Sequence, residues 1–302
     1  MESARPSPAF PERSATGGRR LRWLRSLLRS AAGTTGAALV ALALICALGA
    51  PWLAPHDPAR LNVRSRFVPP VWQAEGDARY VLGTDQLGRD VLSRLIYGSR
   101  VSIVVGAAGV VLSIAVGVLL GLLAGYFGGW LDGLISRITD TFMSIPFIIL
   151  ALAAVGVLGP GLINLIIVLG LTGWVVFARV VRGEVLSVKA MEYVTAARTI
   201  GQTPLRIALR HVLPNVTASI IVLATLQVAT VIIAESSLGF LGLGVQPPTV
   251  TWGLMLAEGR NHLATSWWLA AFPGAAISLT ALGVILFGDW LRAVLDPRLR
   301  AG

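Results

Sequence analysis

From Thr141 to Ala178 the chain carries no charged side chain. A helix crosses the hydrocarbon core of a bilayer in about 20 residues, so this run is too long for one crossing and too apolar for a soluble loop. Gly159-Pro160-Gly161 divides it, because proline removes a backbone donor and glycine favours the turn. The predicted outcome is two helices, 141–158 and 161–177, joined by a tight hairpin.

Four further stretches have the same character. They lie at about 34–53, 101–126, 216–234 and 267–287, which brings the expected total to six membrane crossings. Composition agrees. Hydrophobic residues make up 55% of the 302 and charged residues 13%, about half of the roughly 25% usual in soluble domains. Mean hydropathy is +0.75. The expected fold class is therefore all-α, a polytopic membrane protein with six transmembrane helices.

Basic residues orient the spans. Seventeen of the 25 fall in 1–33, 127–140, 178–215 and 288–302, against eight in 54–100 and 235–266. Basic segments stay on the cytoplasmic side, so both termini are expected inside. The seven arginines of 54–100 oppose this reading; five acids there (Asp57, Glu75, Asp77, Asp85, Asp90) offset them only weakly, since acids count little in the rule. The formal charge of +10 thus reads as topology rather than nucleic-acid binding, and no nucleic-acid partner is expected. Expected organisation is a basic cytoplasmic tail at 1–33, a first span with an extracytoplasmic loop at 34–100, a five-helix transmembrane domain at 101–290 with a cytosolic loop at about 178–215, and a cytoplasmic tail at 291–302. The chain up to about position 20 reads as disordered. The stretch 21–29 reads as an amphipathic segment at the lipid headgroups.

The polar insert between the fourth and fifth spans is the strongest functional signal. Its core is Glu192-Tyr193-Val194-Thr195-Ala196-Ala197-Arg198-Thr199-Ile200-Gly201, followed by His211-Val212-Leu213-Pro214-Asn215. A helix over 190–200 is predicted, with Tyr193, Ala197 and Ile200 on one face. Gly201 can end it with positive φ. Thr203 and Pro204 then suit an N-cap and first helical position, and Pro214 is expected to stop the second helix. Small Ala196 and Ala197 let another protein approach, while Arg198, Arg206 and Arg210 can pair with acids. A DNA-reading helix-turn-helix would also want small Ala197, turn-forming Gly201 and apolar Ile207, but anchorage between two spans argues against it.

Elsewhere the chemistry is sparse. The only lysine, Lys189, stands between Val188 and Ala190, so no phosphate-cradling Gly-Lys-Ser/Thr loop exists in the chain. His56, His211 and His262 are scattered and Cys46 is the one cysteine; no catalytic set and no metal site is expected. In the stretch 83–94, Thr84 or Asp85 can cap a helix and Asp90 can pair with Arg94 at i,i+4. Gly117, Gly121 and Gly125 form a small-residue stripe suited to close helix packing. Glu235 with Ser236 and Ser237 is the cavity candidate, since intramembrane acids are costly and often functional. Trp252, Trp267 and Trp268 read as interfacial anchors.

Ala196-Ala197, Gly201 and Leu213-Pro214 resemble the cytoplasmic "EAA" loop of binding-protein-dependent ABC importer permeases. The stretches 83–94, Leu158-Gly159-Pro160-Gly161-Leu162, 240–248 and 295–300 resemble the dipeptide/oligopeptide/nickel branch, in the order expected over about positions 50–300. Thr195 stands where the loop's name has a glutamate, with Glu192 three residues earlier. The resemblance implies a type I ABC importer permease fold in the cell membrane. It implies a coupling loop made of Glu192, Tyr193, Ala196, Ala197, Arg198, Gly201, His211, Leu213 and Pro214. It makes Asp85, Arg89, Asp90 and Arg94 candidates for an outer gate or receptor contact. The implied partners are a second permease, two ATPases that hold ATP and Mg, and an extracytoplasmic substrate-binding protein. Peptides are the favoured cargo, with nickel or another small solute as alternative. The rival classes are an ATP-independent transporter or channel, which would show midspan charge or inverted repeats, and a membrane hydrolase, which would need a convergent catalytic set.

Overall fold

The computed structural model describes residues 25–295. The amino-terminal tail reading falls mostly, and the closing stretch 296–300 wholly, outside them; residues 25–29 are helical. Nine helices organise the described part: α1 (Ala31–Leu53), α2 (Val91–Phe127), α3 (Gly129–Ser144), α4 (Phe147–Leu158), α5 (Leu162–Lys189), α6 (Glu192–Thr199), α7 (Pro204–Phe240), α8 (Trp252–Gly259) and α9 (Trp268–Leu295). No β-strand occurs among the described residues. In lipid an α-helix satisfies its own backbone polar groups, whereas an open strand edge cannot.

Five helices (α1, α2, α5, α7, α9) are individually long and apolar enough to cross a bilayer, and α3 with α4, bent by 94° at their break, passes the same test only as a pair, as a broken span or a re-entrant loop. The bend corrects the expectation of one helix over 141–158. Pro146 disfavours a helical conformation at Ile145, which is extended (φ −96°, ψ 124°), and Pro146 becomes the N-cap of α4. The hairpin at 159–161 forms as expected, with φ of +79° at Gly159 and +155° at Gly161.

Two expected boundaries also move. α2 begins at Val91 and not at 101, so one helix continues through the division drawn between the outer loop and the transmembrane domain. α5 runs on past Phe177 as far as Lys189. Its charged extension is held against α3: Arg182 donates Nε and Nη2 to Asp132 (2.5 and 2.8 Å), and Arg179 donates to Asp140 (2.9 Å). Charge ends an apolar run but does not end a helix.

The α2–α5 seam carries the core. A Cβ on Gly117 would lie 2.5 Å from the Trp174 carbonyl oxygen, one on Gly121 2.6 Å from the Ala178 oxygen, and one on Gly125 2.8 Å from Val185 Cγ1. The stripe read from the sequence is therefore a packing stripe, which lets the two backbones touch along successive turns. Ser113 Oγ donates across the same seam to the Gly170 carbonyl (2.9 Å). A second small-residue seam joins α1 to α9, where a Cβ on Gly36 would meet the Phe287 nitrogen at 2.5 Å and one on Gly283 would meet Leu39 Cβ at 2.6 Å.

Candidate functional site

The insert between α5 and α7 folds into a bent handle. α6 ends in a paired cap: the Gly201 N–H donates to the Arg198 carbonyl (2.9 Å) and the Gln202 N–H to the Ala197 carbonyl (3.2 Å). Gly201 sits at φ +79°, as the sequence predicts, and nothing lies within 4 Å of where its Cβ would be. His211 Nε2 meets Gln202 Oε1 at 2.9 Å and ties the turn to α7.

The packing face of α6 differs from the expected one. Val194 and Ala197 are buried against Val188, Ile207, Ala208 and Val212, whereas Tyr193 and Ile200 are exposed. Val194 and Ala197 are spaced i,i+3, which on so short a helix selects the inner face. Ala196, Glu192 and Arg198 are exposed, Leu213 is half-buried and Pro214 exposed. Thr203 makes no side-chain cap, although Pro204 does open α7. Among the described residues Arg206 and Arg210 make no ion pair, and Arg198 instead lies over the Tyr126 ring (5.7 Å).

Pro214 does not stop a helix. α7 continues through it, with a π-helical stretch at Ala208–Val212 closed by Leu213 N–H to the Ala208 carbonyl. The wider turn relieves the clash that a proline ring makes with the carbonyl four residues earlier, here Arg210. The handle is thus rigidly continuous with a crossing. It also presents Tyr193, Ile200, Leu205 and Leu209 outward, with Ile200 75% and Leu205 62% exposed.

At the far end of α2, about 55 Å away at 1.5 Å per residue, the stretch 83–94 forms a charged clamp. Asp85 Oδ2 accepts from Arg89 Nε (2.6 Å) and from Arg94 Nη1; Glu258 Oε2 accepts from Arg89 Nη2 (3.0 Å) and Arg94 Nη2 (2.8 Å). Two cations and two anions close a neutral cycle, and Arg94 is only 1% exposed. Glu258, on α8, is not legible in the sequence: its partners stand far earlier in the chain, Arg89 by 169 residues, where no local spacing can point. The expected Asp90–Arg94 pair does not form. Asp90, not Thr84 or Asp85, caps the helix, accepting from Ser93 N–H (2.9 Å) and Ser93 Oγ (2.5 Å), and His56 Nδ1 stands 3.4 Å from it.

Two expected interfacial anchors are structural pins instead. Trp252 Nε1 donates to the Leu95 carbonyl (2.9 Å) and Trp268 Nε1 to the Thr84 carbonyl (3.2 Å), both rings being buried; Trp267 is exposed. They dock α8 and α9 onto the clamp.

Two of the expected cavity trio line a groove and the third does not. Ser236 and Ser237 line a groove of about 390 Å³ with Ile233, Phe240, Leu256 and Ser278. Glu235 does not line it, being turned about 100° round α7 from Ser236. It is wholly buried, accepting from Ser102 Oγ on α2 (3.1 Å) and Ser236 Oγ (3.2 Å). Among the described residues no group of three or more metal-ligating side chains converges.

The family described as "Binding-protein-dependent transport system inner membrane component" matches residues 117–301, and that described as "N-terminal TM domain of oligopeptide transport permease C" matches residues 21–70. The di/tripeptide transport system permease protein DppC of Pseudomonas aeruginosa is 44% identical over 89% of each chain. The probable D,D-dipeptide transport system permease protein DdpC of Escherichia coli is 39% identical over 99% of this chain and 98% of its own. The dipeptide transport system permease protein DppC of Escherichia coli is 42% identical over 90% of this chain and 91% of its own. Among solved structures, an inward-facing MetNI methionine ABC transporter chain superposes with a TM-score of 0.57 at 19% identity, covering 67% of this chain and 96% of that one. That likeness concerns the fold.

Proposed function

Because this chain belongs to the binding-protein-dependent transport system inner membrane components, we propose that it is the permease subunit of an ATP-driven importer for dipeptides and short oligopeptides. Peptide cargo is supported over nickel by relatives named for di- and tripeptides, dipeptides and D,D-dipeptides. The chain performs no ATP hydrolysis in this reading. It has no Gly-Lys-Ser/Thr loop, so ATP and Mg are handled by two partner ATPase subunits. A second permease completes the pore, and an extracytoplasmic binding protein delivers the peptide.

The observation that carries the proposal is the handle: a short capped helix with an outward apolar face, joined to a crossing at each end. With both termini in the cytosol, the handle is cytosolic. Ile200, Leu205 and Leu209 then seat in the ATPase, with Glu192, Tyr193 and Ala196 beside them and Arg198 turned to Tyr126. Closure of the ATPase pair pushes the handle, and α5 and α7 swing as levers between inward- and outward-open states. The outer clamp (Asp85, Arg89, Arg94 and Glu258, with Asp90 capping α2) holds α8 at the mouth where the receptor docks. Ser236 and Ser237 flank the peptide path, and Glu235 braces α2 against α7 behind it.

The test is reconstitution of the permease with its partner permease, ATPases and binding protein. Uptake of a labelled dipeptide into proteoliposomes that requires ATP and the receptor is expected. Uptake driven by an ion gradient without ATP, or labelling of a Gly201→Cys variant by an impermeant reagent outside intact cells, would overturn it.

A further inference from the structure

Tyr126, next to last in α2, is 5% exposed and has two cations over its ring: Lys189 Nζ at 5.6 Å and Arg198 Cζ at 5.7 Å. Lys189 also donates its ammonium to the Tyr126 carbonyl oxygen. The two cations come from different elements. Lys189 ends α5, the stem of the handle, and Arg198 lies in α6, the handle's outer helix. An aromatic face attracts cations through its quadrupole; here the ring is buried, Lys189 half-buried and Arg198 exposed. One buried ring therefore gathers the end of a further crossing, the handle's stem and the handle itself.

The flanking connections of the insert run to α5 and α7 alone. Nothing in chain order joins it to α2. We infer that Tyr126 is a positioning residue through which the handle also grips α2, so that displacement of α6 moves three crossings. α2 is suited to pass the motion on. Its glycine stripe leaves no slack against α5, and its other end carries Arg94, bound to Glu258 on α8. A push at Arg198 thus reaches the opposite mouth through one continuous helix of 37 residues. The inference rests on the permease reading above.

The test uses the complete transporter in proteoliposomes, comparing peptide taken up per ATP hydrolysed. Tyr126→Leu removes the ring and is expected to lower that ratio by about fivefold or more, the combined effect of two such contacts. ATP hydrolysis itself continues. Tyr126→Phe keeps the ring face and is expected to match the wild type, so that the hydroxyl is set apart from the ring. Arg198→Gln is expected to lower the ratio by itself and to add little in the Tyr126→Leu background. An unchanged ratio in Tyr126→Leu, an equal loss in Tyr126→Phe, or independent effects of the Arg198 and Tyr126 changes would each overturn the inference. Should Tyr126→Leu fail to assemble, Arg198→Gln in the Tyr126→Phe background decides: a ratio unchanged by removing the cation overturns it. Absence of ATP-dependent uptake in the wild type would instead defeat the functional reading and leave this arrangement of side chains unaffected.

Discussion

Replacing Arg94 by methionine separates the clamp's electrostatics from its packing. Methionine keeps most of the aliphatic stem and removes the guanidinium. In the wild type Arg94 makes two of the four ion contacts in the cycle, and its side chain is 1% exposed against 5% for Asp85 and 20% for Glu258. After the change Asp85 and Glu258 share Arg89 alone, and one negative charge in a largely dry site has no partner. Breaking a buried pair by removing one member costs about 3–5 kcal/mol. The remaining Arg89 and the partial exposure of Glu258 place the expected loss at the lower end, about 3 kcal/mol. Scaled from soluble domains, where about 1 kcal/mol moves Tm by roughly 2–4 °C at about 150–250 residues, the melting point should fall by about 6–12 °C. Heating detergent-solubilised protein at one fixed scan rate and following monodisperse recovery measures this. The second variant, Arg94→Met with Glu258→Leu, restores a neutral site holding the Arg89–Asp85 pair, and should regain at least half of the loss. A single variant within about 2 °C of wild type, or a double variant that melts lower still, would refute the uncompensated-charge argument.

Gly201→Ala places a Cβ in open space but at a left-handed φ, so it should cost about 1–2 kcal/mol locally without loss of the folded permease; Gly201→Arg should leave the protein assembled in the membrane yet strip uptake from ATP hydrolysis, read as the ratio of the two rates. Gly121→Val must force α2 from α5, since even a Cβ would lie 2.6 Å from the Ala178 oxygen; overpacking of about 1–3 kcal/mol or more is expected, seen as loss of membrane-integrated protein on quantitative blots. The Arg79 hydrogen bonds and charge hold the Asp77 carboxyl below the usual carboxylate range. A depressed folded value means that any stabilisation is present above the ordinary range and disappears only as pH falls through the lowered one; because the pair is open to solvent, Asp77→Asn should leave the melting point unchanged between about pH 5 and 8.

Several site features needed no tertiary information. Gly201 announces a left-handed cap because its neighbours are helix formers and only glycine relaxes there, and φ is +79°. Gly117, Gly121 and Gly125 announce a close seam by their period of four. Other features misled for stated reasons. Pro214 reads as a stop because proline breaks a regular α-turn, but a π stretch just before it accommodates the ring. Pro146 gives no signal in hydropathy, which does not change across it, although α3 and α4 meet there at a bend of 94°. Asp90 and Arg94 have helical pairing distance, yet Asp90 lies outside the helix as its cap and Arg94 turns to Glu258.

What the residue order alone determined is whatever depends on neighbours within a turn or two: five long apolar helices, the turn at 159–161, the capped handle and the missing phosphate loop. Those follow from the length of apolar runs, from backbone freedom at glycine and from the side chains adjacent in sequence. Which face of α6 is buried, where Glu235 points, what neutralises Arg94 and what holds Arg198 were settled only when distant helices met. Charges and ring faces act over a few ångströms of space, and chain order carries no measure of that distance.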